Sequence, residues 1–168
     1  AFHGGSLAQY PSRFPMDELE HVPFLKGLTL YYAYLERDDA VPGLSQMVWR
    51  IEHVSGSGRD RTAAATRRWG DAAPVTQTLH QTPQGLFIDG ILEIKYPVVE
   101  GDSWRVEGDA MPLRSILSVD AEALTMVKTF PGCLELGFTN EDTDSGSRLY
   151  APGVGLVREL CSGEGNNG

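Results

Sequence analysis

From about Leu28 onward, polar and apolar residues along this chain alternate with a period of two. In Gln46–Val54 the residues Met47, Trp49 and Ile51 share one parity while Arg50 and Glu52 take the other, so an extended segment there buries one face and solvates the opposite one. Runs rich in β-branched and aromatic residues recur at Leu28–Leu35, Val75–Gln81, Gly85–Ile88, Ile91–Ile94, Ser103–Gly108, Leu113–Val119, Leu124–Thr129, Cys133–Thr139, Ser147–Tyr150 and Gly155–Leu160, and each predicts a strand. Arg61–Trp69 holds Ala63-Ala64-Ala65, which suits a helix on intrinsic propensity, but its Gly-rich flanks decide for a strand. Turn chemistry separates the runs at Asp38-Asp39, Pro42-Gly43, Ser55–Gly58, Thr82–Gly85, Asp89-Gly90, Pro131-Gly132 and Asp144–Gly146, with Asp-Gly a favoured two-residue hairpin loop. No long helical period interrupts the series. The pattern predicts an all-β or β-dominated fold: an antiparallel meander, curved into a half-barrel or barrel-like sheet.

The expected organisation is a single β domain over 28–161, preceded by an irregular lead-in over 1–27 and followed by a flexible Gly/Asn tail over 162–168. Pro11, Pro15 and Pro23 break the lead-in, where only Met16–Glu20 suits a helical turn. One internal echo stands out. Val22-Pro23-Phe24-Leu25-Lys26-Gly27 ahead of the first strand matches Tyr96-Pro97-Val98-Val99-Glu100-Gly101 ahead of Ser103 in type and spacing. In each, Pro holds an extended approach, two apolar residues can anchor on a core, and Gly permits the turn into a strand. The echo points to two related β halves.

Composition narrows the function classes. Hydrophobic residues at 41% and charged residues at 22% are ordinary globular usage, and 168 residues suffice for one buried core without metal or several disulfides. Fourteen basic against twenty-three acidic side chains give a net charge of −9, which argues against nucleic acid as a partner. The longest apolar stretch, near Leu28–Leu35, is too short to span a bilayer. Cys133 and Cys161 could close one disulfide or remain two thiols, and the sequence leaves both open.

Candidate chemistry is sparse. The acidic loop Asn140–Gly146 offers oxygen ligands, but Gly146 falls one position late for a calcium loop and Ala151 stands where the closing glutamate belongs, so no metal site is expected. His3, His21, His53 and His80 lack zinc-type spacing, and no G-x-S-x-G elbow places a nucleophile. Glu100/Asp102 and Glu107/Asp109 read as solvating charges near turns rather than as glycosidase carboxylates. Arg59, Arg61, Arg67 and Arg68 form the one basic segment, read as protection of an edge strand in preference to an anion site. Trp49, Trp69 and Trp104, with Tyr31, Tyr32 and Tyr34, read as core or concave-face residues that could also hold a lipid or a sugar.

The stretch Leu149-Tyr150-Ala151-Pro152-Gly153-Val154-Gly155-Leu156-Val157-Arg158-Glu159, taken with Pro97–Trp104 and Phe130–Leu136, resembles a family of uncharacterised bacterial extracytoplasmic, lipoprotein-like β domains with a terminal Y-A-P-G-V-G-L-V-[KR]-x-E signature. The resemblance implies a curved sheet shaped like the half-barrels of periplasmic lipoprotein carriers and a site in the periplasm or at the cell surface; the sequence leaves open whether a lipid anchor on a removed N-terminal segment preceded Ala1. It brings no catalytic residue. Physically, Tyr150 leads into a Pro152-Gly153 turn and Gly155 lets the backbone approach closely as the strand resumes. The expected function is therefore a non-enzymatic cell-envelope domain without cofactor that binds an apolar or amphipathic ligand (lipid or sugar) or a protein on its concave face. The alternative is a structural surface protein with no small-molecule ligand, and a hydrolase ranks behind both.

Overall fold

The alternation seen in the sequence becomes eleven strands in a computed structural model, which describes residues 21–36, 43–140 and 144–162. They are β1 (Thr29–Glu36), β2 (Gly43–Ser57), β3 (Asp60–Trp69), β4 (Val75–Thr82), β5 (Gly85–Ile88), β6 (Ile91–Lys95), β7 (Ser103–Arg105), β8 (Leu113–Leu124), β9 (Thr129–Thr139), β10 (Ser145–Ala151) and β11 (Gly155–Ser162). Each strand pairs antiparallel with its sequence neighbour within one of two sheets, β1-β2-β3-β4-β5-β6 and β11-β10-β9-β8-β7. The fold is the expected all-β meander, and its first sheet is a curled antiparallel half-barrel. Residues 1–20, the Asp38-Asp39 turn with Pro42, Glu141–Thr143 of the acidic loop, and 163–168 of the tail lie outside the described residues, as do His3 and the Met16–Glu20 turn.

The two sheets share one core. Trp49, Ile51, Ala63, Ala65, Leu79, Leu86 and Ile94 from the first meet Ile116, Leu134, Leu136 and Tyr150 from the second, with Val22, Phe24 and Val98 packed in from the connections. Burial of this apolar surface is the main force holding the sheets together. Ala63 and Ala65 are buried at alternate positions of β3, so strand period overrides the helix propensity of the alanine run, because the neighbouring strands supply the packing. Part of the expected lead-in joins this core: His21–Phe24 are irregular yet buried. A smaller cluster, Ala123, Cys133, Leu149 and Ala151 with Phe130 and Val157, sits on the alternate positions of β8–β11.

The internal echo is reproduced bond for bond. Gly27 donates its N–H to the Ile51 carbonyl at 2.8 Å, Leu28 N–H closes the turn onto Leu25 O at 3.0 Å, and Ile51 N–H returns to Leu28 O at 3.0 Å. In the second sheet Gly101 donates to Ile116 O at 2.9 Å, Asp102 to Val99 O at 3.1 Å, and Ile116 returns to Asp102 O at 2.8 Å. Gly27 and Gly101 share φ near +85° (85° and 88°), the left-handed conformation this turn needs. Each copy thus launches one sheet and anchors it on a fully buried isoleucine.

Three expected elements differ. Ser103–Gly108 shortens to β7, because Gly108 turns at φ 78° and Val106 N–H bonds to Pro112 O at 2.8 Å, outside the ladder. The expected Leu124–Thr129 strand is instead the tip of a long β8–β9 hairpin, with Leu124 opposite Thr129. The expected Pro131-Gly132 turn is an irregularity inside β9, where Gly132 takes φ 64° and the β8–β9 register shifts between Ala121 and Ala123.

Candidate functional site

The terminal signature lies where the sheets meet. Tyr150, on β10, is buried and donates its hydroxyl to Glu93 Oε1 on β6 at 2.8 Å. Arg148 Nη1 donates to the same oxygen at 2.6 Å, and its Nε to Glu159 Oε2 on β11 at 2.8 Å. Arg114, on β8, lies with Nε 3.5 Å from Glu93 Oε2 and donates to Asp109 and to the Met111 carbonyl. The Phe138 ring lies beneath both guanidinium groups, 4.5 Å from Arg148 and 5.9 Å from Arg114. Glu93 and Arg114 are each only 3% exposed. A polar cluster so deep is tolerated because nearly every charge has an opposite neighbour and directed hydrogen bonds.

Titration follows from that pairing. Burial and the negative charge of Glu93 hold the Tyr150 phenol well above its ordinary range. Burial opposes the charge on Arg148, but Glu93 and Glu159 outweigh it and raise its pKa. For Asp109, burial pushes upward, while the Met111 N–H and Arg114 prevail and lower it. Tyr150, Arg148 and Asp109 are thus held in their resting charge states, and the contacts of the cluster are suited to clamping β6 of one sheet to β8, β10 and β11 of the other rather than to proton transfer.

The rest of the signature is a second clasp. Ala151 accepts from Val154 N–H at 3.1 Å across the Pro152-Gly153 turn, with Gly153 at φ 71°. Gly155 follows at φ 110°, where a Cβ would stand 3.4 Å from Leu30 Cδ1 on β1, beside the His21 carbonyl. Tyr32 on β1 donates its hydroxyl to Leu156 O at 2.8 Å, and burial together with Glu159 raises its pKa. His21, buried at the same seam, is lowered to about 4 by burial.

The other sequence candidates are scattered. Cys133 is a buried free thiol and Cys161 an exposed one. Cys161 pairs with Gly146, which pairs with Phe138, five residues beyond Cys133 on β9; at about 3.3 Å per residue and two strand spacings the cysteines stand roughly 19 Å apart, past bridging distance. Arg61, Arg67 and Arg68 of the basic segment lie on β3, between β2 and β4, with Arg59 in the turn before it, so the edge-protection reading is overturned; Arg61 instead donates to Gln81 at 2.9 Å and stacks 5.0 Å from the Phe24 ring. His80 pairs with Asp60 at 2.9 Å, and His53 is exposed. Asp102 pairs with Lys95 at 3.1 Å. Trp49 and Trp104 are structural: their indole N–H groups donate to Gln77 at 2.9 Å and to the Leu92 carbonyl at 3.0 Å. Tyr31 is exposed, while the side chain of Tyr34 lies outside the described residues. Among the described residues no three His, Cys, Asp or Glu side chains gather as a metal site.

The concave face of the first sheet is filled by the second. A cleft of about 370 Å³ opens at the β7–β8 edge beside Trp104 and Ser115, but the guanidinium on its wall, Arg114, is already committed to Glu93 and Asp109. A smaller one of about 140 Å³ lies beside Arg59 and Tyr96. Sequence reading missed a different feature. At the β8–β9 tip Leu124, Met126 and Val127 are 67%, 88% and 86% exposed, the last two being the most exposed large apolar side chains described. The Leu124–Thr129 run predicts a strand; the contrary signal it holds is Thr125, whose hydroxyl closes the turn onto Lys128.

The fold is similar to a putative exported protein with YmcC-like fold from Bacteroides fragilis, at 16% identity and TM-score 0.51 over 83% of this chain and 90% of that one. It is similar also to a putative lipoprotein from Parabacteroides distasonis, at 15% identity and TM-score 0.53 over 86% and 91% of the respective chains. No protein-family model matches the chain, and no curated protein matches it.

Proposed function

We propose that this chain is a bacterial cell-envelope domain, held outside the cytoplasm, that acts without catalysis through its outer surface rather than by carrying a small molecule between its sheets. The observation that carries the surface reading is the occupied interior: Trp49, Ile51, Leu79, Leu86 and Ile94 of the first sheet are in one cluster with Ile116, Leu134 and Leu136 of the second. A carrier needs a pocket of about 300 Å³ or more that encloses its ligand, and the cleft of that size here is open and lies at the β7–β8 edge, outside the shared core. The envelope setting is supported by the fold shared with an exported protein and a lipoprotein, and by the resemblance of the Tyr150–Glu159 stretch to extracytoplasmic domains.

The test is fractionation of cells that express the gene, followed by native mass spectrometry of the recovered protein. The reading expects the protein in the envelope fraction and a folded ion carrying no small molecule. A cytoplasmic location removes the envelope half of the proposal, and a retained lipid or sugar removes the surface half.

A further inference from the structure

The β8–β9 tip is apolar where a hairpin end is ordinarily polar, and its backbone is prepared to leave water. Thr125 N–H donates to Lys128 O at 3.1 Å, and the Thr125 hydroxyl donates to the same carbonyl at 2.6 Å. That hydroxyl also accepts from Lys128 N–H at 3.2 Å and Val127 N–H at 3.4 Å. Three of the four turn amides are therefore satisfied inside the turn, which lowers the cost of moving them into a medium that cannot hydrogen-bond. Lys128 lies at the base with Nζ 4.3 Å from the Phe130 ring, where an ammonium can stay at the level of polar headgroups while its stem covers apolar surface.

Size and charge narrow the occupant. Leu124, Met126 and Val127 together expose on the order of a few hundred Å², short of the roughly 800 Å² per partner that a stable protein interface buries. Seating apolar side chains about 5–10 Å into the headgroup boundary sets no fixed minimum area, its strength growing with the apolar surface buried. The exposed acids Asp120 and Glu122 on the same strand, within a chain of net charge −9, oppose an anionic surface. We propose that the tip is a membrane-contact wedge that seats Met126 and Val127 in the headgroup–acyl boundary of a zwitterionic bilayer. The wedge names a partner for the envelope domain proposed above and rests on that reading, yet it is measured on purified protein and so succeeds or fails independently of cell location.

The experiment is flotation of the purified chain with phosphatidylcholine vesicles. Wild type is expected to float, and the M126S/V127S double variant to lose at least about tenfold in bound fraction, because both apolar side chains are removed. Y31S, which alters the 80% exposed side chain of Tyr31 on β1, is expected to stay within about twofold of wild type, and phosphatidylglycerol added to the vesicles to give no gain. Unchanged thermal melting confirms that M126S/V127S is folded. Wild type left at the bottom of the gradient, M126S/V127S floating as well as wild type, or Y31S losing as much overturns the wedge. A concentration-dependent dimer that M126S/V127S abolishes overturns it also, in favour of a second copy of the chain.

Discussion

The Glu93 cluster and the β8–β9 tip break the same rule in opposite directions. At the first, charged groups lie inside, Glu93 and Arg114 each 3% exposed; at the second, apolar groups lie outside, Met126 88% exposed. The inside exception is explained within the molecule, since Glu93 meets Arg148, Tyr150 and Arg114 and every contact spans strands. The outside exception has no explanation among the described residues, because the turn satisfies three of its four amides itself and the side chains are left over. Paired polarity in a core reads as architecture, and unpaired apolarity on a surface reads as a contact still to be made.

That contrast can be broken most forcefully at Glu93. Glu93→Gln removes the charge that faces the buried guanidinium of Arg114 and the part-buried one of Arg148 and should cost about 3 kcal/mol or more, read by denaturant unfolding. A loss below about 1 kcal/mol would mean the cluster is a passenger.

A comparable effect comes from acid. His21 is neutral when folded, with its pKa near 4, against 6.5 in the unfolded chain. Between those values the unfolded state binds the extra proton, so stability is full above pH 6.5 and declines by up to about 3 kcal/mol as pH falls to 4. The depressed carboxyl of Asp109 adds its own loss only below its ordinary value of 3.8, so the two windows separate. His21→Leu should flatten the upper window, and urea midpoints recorded at several pH values would show it.

Smaller still is the signature turn. Gly155→Ala meets only ordinary contact at Leu30 but holds φ at 110°, so roughly 2 kcal/mol of backbone strain is expected in its melting curve. The least effect belongs to the tip: M126S/V127S should change stability by no more than about 0.5 kcal/mol, which sharpens the contrast if flotation is lost all the same.

Much of the fold was legible because strand period is a local property. Met47, Trp49 and Ile51 alternate inward as read, and the Pro/Gly echo marked both sheet starts because its hydrogen bonds close within a few residues and onto one neighbouring strand. The sites were not legible for two reasons. Glu93 and Arg148 are far apart in the chain and meet only through sheet packing, which no local pattern encodes. The tip was hidden by a misplaced turn: Pro131-Gly132 carries the stronger turn chemistry, yet the chain reverses at Thr125–Lys128, where a single hydroxyl does the closing. The edge reading of Arg59–Arg68 failed likewise, since strand order within a sheet is a tertiary fact.

Amide hydrogen exchange with and without phosphatidylcholine vesicles puts both regions into one measurement. The account predicts slowing at residues 124–128 and unchanged exchange at Glu93, Arg148 and Tyr150. Slowing between the sheets, or none at the tip, would contradict a sealed interior with a working outer surface.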